Sequence, residues 1–363
     1  MKKMVFTIII FLSIFLFFIS HNHRSITEIT YVNSIGIEYN TNTNEFIMYF
    51  LILNNYTIAQ SGNSPTFTNT HSYIAKGNEK SLLDAENKIR NNSNTKFDLS
   101  HIRSLIINDN FFINDNVLKL YDYIRNNPKY NHTFEIYTTK DSIEKIYQVE
   151  NFSEVSGYYT ILVNTQNNIP VKHVRFNNFC NDLLIDNYTQ YYQRIKVNEG
   201  VIADAKKKYI SLDYDGASFI NDGYQINSFK YQNINGLAYL TTKINRSIII
   251  ENENQQYSFL PNQFKITYNI RNNKLHIKIT TSGYFTNGQN CNTNKLKTIL
   301  EEKIKYDLEI MFDIMQNYDI DVYNINYRYN NKYDYKNIGR VYDFNIVINK
   351  NVWPNQTFSF LFW

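Results

Sequence analysis

Two cysteines and seven histidines carry most of the chemistry available to this 363-residue chain. Cys180 and Cys291 stand far apart in sequence and are too few to make a metal site alone. Cys180 shares a helix-spaced apolar face with Phe176, Phe179, Leu183 and Leu184, the setting of a small buried hydrophobe. Cys291 falls in the polar run 287–294, which reads as a loop, and a single disulfide between the two stays open. The histidines His21, His23, His71, His101, His132, His173 and His276 are scattered. His21 and His23 suit a solvated turn, and His173 and Arg175 flank Val174 on a solvent face. Glu301-Glu302 and the pair Asp319 and Asp321 could in principle do acid/base work. Each pair sits among charges at a helix surface or exit, so solvation accounts for it. Lys206, Lys207 and Lys208 form a solvated stretch or, at most, a contact for anionic lipid headgroups. The chain has no Gly-rich phosphate loop, no G-x-S-x-G elbow and no H-E-x-x-H helix. No catalytic residue, metal ligand set or cofactor site follows, so the residues point to a non-enzyme.

The elements that would position these groups come from periodicity. Residues 29–37 and 46–52 read as two strands with a polar turn at 40–44. An Asn-, Ser- and Thr-rich loop follows, with Gly62 and Pro65. Ser81 caps a helix to Arg90 whose Leu82, Ala85 and Ile89 share a face, with Asp84 in its first turn. Residues 105–107 make a short strand, Asp115 opens a helix through Ile124, 134–137 are strand and 141–149 helix. Residues 174–184 are helical, and 188–196 read as connector before a boundary at 195–205. Beyond it, 209–212 and 217–220 are strands before the turn Asn221-Asp222-Gly223. Phe264, Ile266, Tyr268, Ile270 and Leu275, Ile277, Ile279 alternate around Asn272-Asn273, the clearest hairpin in the chain.

Thr293 caps the longest helix, which runs to about Gln316 with Leu296, Ile299, Leu300, Ile304, Leu308, Met311, Phe312 and Met315 on one face. That face packs on the hairpin's sheet; a partner-binding stripe is the lesser reading. Residues 340–349 and 357–363 supply the last strands. The fold class is α+β, multi-domain, with antiparallel sheets and packed helices after an N-terminal signal/anchor helix.

That anchor is the strongest local signal. Lys2 and Lys3 precede residues 4–19, which hold no charge. As a helix they span about 24 Å, short of the roughly 30 Å hydrocarbon core. Phe17, Phe18 and Ile19 offer no small residue for cleavage, so the segment reads as a retained anchor. The two lysines place the chain after Ser20 on the extracytoplasmic side. A net charge of +4 with 19% charged residues argues against nucleic-acid binding by bulk charge. The Tyr and Phe excess over Gly and Pro follows A/T-rich codons rather than function.

The order of these weak features resembles the Ger(x)C spore germination proteins. The stretch from Arg24 to Ile29, then Val32-Asn33-Ser34-Ile35-Gly36-Ile37-Glu38, resembles that family's tryptophan-aspartate start, E-I-x-x-L and V-x-x-I-G-I-D runs. The likeness continues through the helix 81–90, Ser100-His101, 105–107, 118–125, 174–184, Gly216-Ala217-Ser218-Phe219, and Asp321-Val322-Tyr323 after the long helix. It implies segments 1–20 (signal/anchor), 24–195 (N-terminal domain, two subdomains possible) and 205–363 (C-terminal domain). It also implies the non-catalytic C subunit of a GerA-type nutrient germinant receptor. Its partners would be the A and B membrane subunits and membrane lipid. Its place would be the outer face of the inner spore membrane. Family members carry a lipobox cysteine where this chain has Ser20, with His21-Asn22 at the tryptophan-aspartate pair. Serine cannot form the lipid thioether, so no lipidation site is expected, and the segment 4–19 would hold the protein uncleaved. A membrane-anchored extracytoplasmic binding protein or adhesin is the alternative reading, and an extracytoplasmic hydrolase a third.

Overall fold

The computed structural model describes residues 29–53, 72–149, 174–183, 185, 188–203, 208–221, 224–239, 247–286, 292–329 and 336–349. Its first part contains β1 (Ile29–Asn40), β2 (Glu45–Leu53), β3 (Ser72–Glu79), α1 (Leu82–Asn91), β4 (Lys96–Asp98) and β5 (Ser104–Asn108). Next come α2 (Asn116–Arg125), β6 (Glu135–Thr139), α3 (Ile143–Tyr147), α4 (Phe176–Leu183), β7 (Thr189–Ala203), β8 (Lys208–Asn221) and β9 (Tyr224–Lys230). The chain continues with α5 (Asn235–Ala238), β10 (Ile248–Asn252), β11 (Gln255–Arg271), β12 (Lys274–Phe285), α6 (Thr293–Tyr318), α7 (Ile325–Arg328) and β13 (Gly339–Ile348).

The first sheet runs β3-β2-β1-β5-β6-β7-β8-β9, with β4 beside the start of β1. The α+β class holds, but the sheets are mixed rather than antiparallel. β1, β5, β6 and β7 are parallel neighbours, because α2 carries the chain from β5 across to β6, and α3 and α4 lie between β6 and β7. The second sheet, β10-β11-β12-β13, is antiparallel until its last pair, where α6 crosses over and returns β13 parallel to β12. The β11–β12 hairpin has the expected register around Asn272-Asn273, both at positive φ as a two-residue turn demands.

Three cores form. α1, α2 and α4 cover one face of the large sheet through Leu82, Ala85, Ile89, Leu120, Ile124, Phe176 and Phe179. α3 covers part of the other through Ile143, Ile146 and Tyr147. α6 lays Leu296, Leu300, Ile304, Leu308, Met311, Phe312 and Met315 on the small sheet, the packing its spacing predicts.

The caps follow local chemistry. Ser81 Oγ accepts the Asp84 N–H at 3.1 Å, as expected. The N-cap of α6 is Asn292 rather than Thr293, its Oδ1 accepting from Asn294 at 3.0 Å. The stretch 188–196, expected as connector, is strand: it forms the first half of β7, and the β7–β8 pairing runs through 195–203. The expected 4–19 helix, the strand at 357–363 and Cys291 lie outside the described residues. Among the described helices none is long and apolar enough to cross a membrane.

Candidate docking surface

The structure keeps the chemistry-bearing residues apart. Of the histidines, His101 packs edge-on to Tyr31, His132 lies against Phe176, and His276 is half-buried on β12. His21, His23, His71 and His173 fall outside the described residues. Cys180 packs, half-buried, against the second core, and burial pushes its thiol up to about 11. Glu301 reaches Lys297 at 4.0 Å on the surface of α6. Asp319 pairs with Lys336 at 2.8 Å. Asp321, expected to be solvated, is buried instead, in the segment after α6 that packs on β7: its N–H donates to Thr189 Oγ1 at 3.1 Å. Among the described residues no three His, Cys, Asp or Glu side chains gather as a metal site.

The polar groups that do converge hold elements together. Glu38 Oε1 accepts the Ile143 N–H at 2.6 Å and Glu38 Oε2 accepts the Tyr49 hydroxyl at 3.1 Å. A cluster of Ser34, Ser104 and Tyr147 lies nearby, with the Ser34 hydroxyl 2.8 Å from that of Ser104 and 2.7 Å from that of Tyr147. Gly36 permits this seat, since a Cβ there would stand 2.1 Å from Ile143 Cγ2. The run from Val32 to Glu38 is therefore the floor on which α3 sits. Gly216 has φ of +147°, and a Cβ on it would meet the Phe229 carbonyl oxygen at 1.8 Å. The Gly216 to Phe219 run is thus a close approach of β8 and β9.

Periodicity missed a buried carboxylate, Glu86 on α1, which pairs with Arg90 and accepts the Tyr130 hydroxyl at 3.1 Å. Its position among apolar neighbours hid it, since a Glu in the second turn of an amphipathic helix reads as solvent-facing.

Among the described residues a concave surface lies at one edge of the small sheet. β10 is the outermost strand, and a groove of about 440 Å³ runs between it and α6, lined by Ile249, Glu251, Ile299, Glu302, Lys303 and Tyr306. A second hollow of about 230 Å³ adjoins it through Ile249 and Lys303. Its wall holds buried Asp307, bonded by the Tyr239 hydroxyl at 2.8 Å and by Lys303 Nζ at 2.6 Å. The Asp307 carboxylate is thus engaged by two donors at the groove wall.

Two family models cover nearly the whole described chain in sequence order. One, described as the spore germination protein N-terminal domain, matches residues 22–197. The other, described as spore germination B3/GerAC like, C-terminal, matches residues 215–352. The chain belongs to the Ger(x)C family of spore germination proteins. With that membership goes the role of a germinant-receptor C subunit. The Ger(x)C chain is also similar to the crystal structure of the GerBC protein, at 16% identity over 87% of this chain and 97% of that one, with a TM-score of 0.48. A comparison with curated proteins finds no match.

Proposed function

We propose that this Ger(x)C chain is the non-catalytic, membrane-attached subunit of a spore nutrient germinant receptor and works by docking to its A and B membrane subunits. The observation that carries this reading is the pair of family matches, N-terminal then C-terminal, on one chain. A binding role is supported by convergent polar groups that cap a helix, tie β7 to the segment after α6 or line a groove. In this reading residues 4–19 form an uncleaved anchor that replaces lipidation, Ser20 standing at the lipobox position. The bulk of the chain then faces outward from the inner spore membrane. The two-unit division, 24–195 and 205–363, belongs to the same proposal. It is supported by the cores, one drawing on Ala217, Phe219 and later residues and two drawing almost wholly on residues up to Ile195.

Deleting the gene and following loss of refractility after nutrient addition tests the role. Spores that fail with one class of nutrient, yet germinate with a germinant that bypasses receptors, fit the proposal. Unchanged responses to every nutrient contradict it. N-terminal sequencing of the membrane-bound protein tests the anchor: a blocked or intact start near Met1 fits, and a mature start near residue 21 does not.

A further inference from the structure

The small sheet buries one face under α6 and leaves the other open. On β11 the covered face takes Phe264, Ile266, Tyr268 and Ile270, so Lys265 and Arg271 stand exposed on the opposite face. The same alternation puts Lys274 and Lys278 of β12 on that open face, with Asp343 of β13 beside them. Register sets how these charges meet. Arg271 is directly opposite Lys274, and Lys265 lies one diagonal from Lys278, whose partner on β13 is Asp343. Like charges directly opposite weaken a strand pair, so the hairpin carries Arg271 and Lys274 at a cost. Among the described residues none of the four cations is in an ion pair, whereas Arg340, on the covered face of β13, pairs with Glu309. The array fills a plane about 20 Å long and 10 Å wide. The other acids of this sheet lie at its far end, Glu251 on β10 and Glu253 in the turn after it, the latter held by Lys295.

We infer that this open face lies on an anionic lipid headgroup layer, an inference that rests on the membrane attachment proposed above. A specific protein interface centres on apolar or aromatic anchors seated in pockets. Here the side chains between the cations are Thr267, Asn269, His276 and Thr280, and the exposed valines, Val341 and Val347, stand on the edge strand β13. A headgroup layer needs no such anchor. Its mobile phosphates gather beneath any cations held within a Debye length, about 8 Å at physiological salt. Lysine suits that surface, because an ammonium on a flexible stem meets single phosphate oxygens without a fixed fork geometry. Each such cation raises affinity for an anionic membrane about five-fold. The contact holds the small sheet flat against the bilayer, an orientation that a single N-terminal anchor leaves free.

Lysine footprinting tests the contact. The full-length protein is reconstituted with vesicles of phosphatidylcholine alone or of an equal mixture with phosphatidylglycerol. A water-soluble acylating reagent is added, and peptide mass spectrometry follows Lys265, Lys274 and Lys278 against exposed Lys129 as reference. Anionic vesicles are expected to slow acylation of the three lysines at least five-fold, and neutral vesicles to leave it unchanged. Raising salt to about 1 M, where screening shortens to about 3 Å, should remove the protection. In an Arg271→Glu, Lys274→Glu variant with unchanged circular dichroism, Lys265 and Lys278 should lose it too. Equal rates on the two kinds of vesicle overturn the inference, as does protection on neutral vesicles. Protection found only in native spore membranes also overturns it, since an acidic protein face would then be the partner. Flotation separates this result from the anchor. Protein that floats with both vesicles but shows no protection keeps the anchor and loses the face; protein that floats with anionic vesicles alone, its lysines protected, does the reverse.

Discussion

Glu38 on β1 accepts the main-chain N–H of Ile143, the first residue of α3, at 2.6 Å across 105 positions of sequence. A carboxylate at the start of a helix meets both an unpaired donor and the positive end of the helix dipole. With Tyr49 on its second oxygen, Glu38 ties β1, β2 and α3 into one unit. Glu38→Ala strips the acceptor from two buried donors and should cost about 2–4 kcal/mol. Glu38→Gln, which keeps one acceptor, should cost about half as much. Urea unfolding of the two variants gives the ordering directly.

Gly36 is fixed by the same helix. Gly36→Ala forces a methyl against Ile143 and should destabilise by about 1–3 kcal/mol. In a Gly36→Ala, Ile143→Ala double variant the 2.1 Å clash is gone, leaving tight contacts of 3.2 Å to the residue-143 Cβ and the Tyr147 hydroxyl. The combined loss should therefore be smaller than the sum of the two single losses, and a double-mutant cycle measures that coupling.

β7 is tied to the segment after α6 at Thr189, whose N–H donates to Asn324 Oδ1 at 3.0 Å while its hydroxyl accepts from the Asp321 N–H. Asn324 has φ of +52°, a conformation asparagine tolerates and alanine resists. Asn324→Gly should lose about 1–3 kcal/mol by orphaning the Thr189 donor, and Asn324→Ala should lose more by adding backbone strain. Equal losses for the two, read from thermal unfolding, would remove the strain from the argument.

Stability should fall in alkali. Burial pushes the phenols of Tyr191 and Tyr268 from an ordinary value of 10.0 up to about 12, and the Cys180 thiol from 9.0 to about 11. The folded state holds these protons more tightly than the unfolded chain. Their contribution is therefore complete below about pH 9 and is lost as pH rises through 11 and 12. A melting temperature level from pH 7 to 9 and declining above 10 is expected; an unchanged value at pH 11 would contradict these assignments.

Much of the fold was legible in the sequence where one face of an element meets water. The alternation of Phe264 to Ile279 gave the β11–β12 hairpin, and Ser81 with Leu82, Ala85 and Ile89 gave α1. The first half of β7 was hidden because it is largely buried yet carries Gln190, Gln193 and Arg194 inside, which breaks any alternation. β3, with Lys76 and Glu79 in ion pairs, and the short β4 and β10 were passed over for lack of pattern. Parallel pairing of β1, β5 and β6 is a matter of strand order, which local periodicity does not encode. For the same reason the groove beside β10 was invisible: Ile249 and Tyr306 meet only through the fold. The Val32 to Glu38 run carries the family resemblance in sequence, and its physical role as the seat of α3 lies in contacts with residues more than 100 positions away.

Affinity capture from detergent-solubilised inner spore membranes decides whether this chain works as a receptor subunit. A tagged copy should bring down two multi-spanning proteins, one of the A type and one transporter-like of the B type. Capture of the tagged chain alone from those membranes, with equal amounts in growing cells, would contradict it.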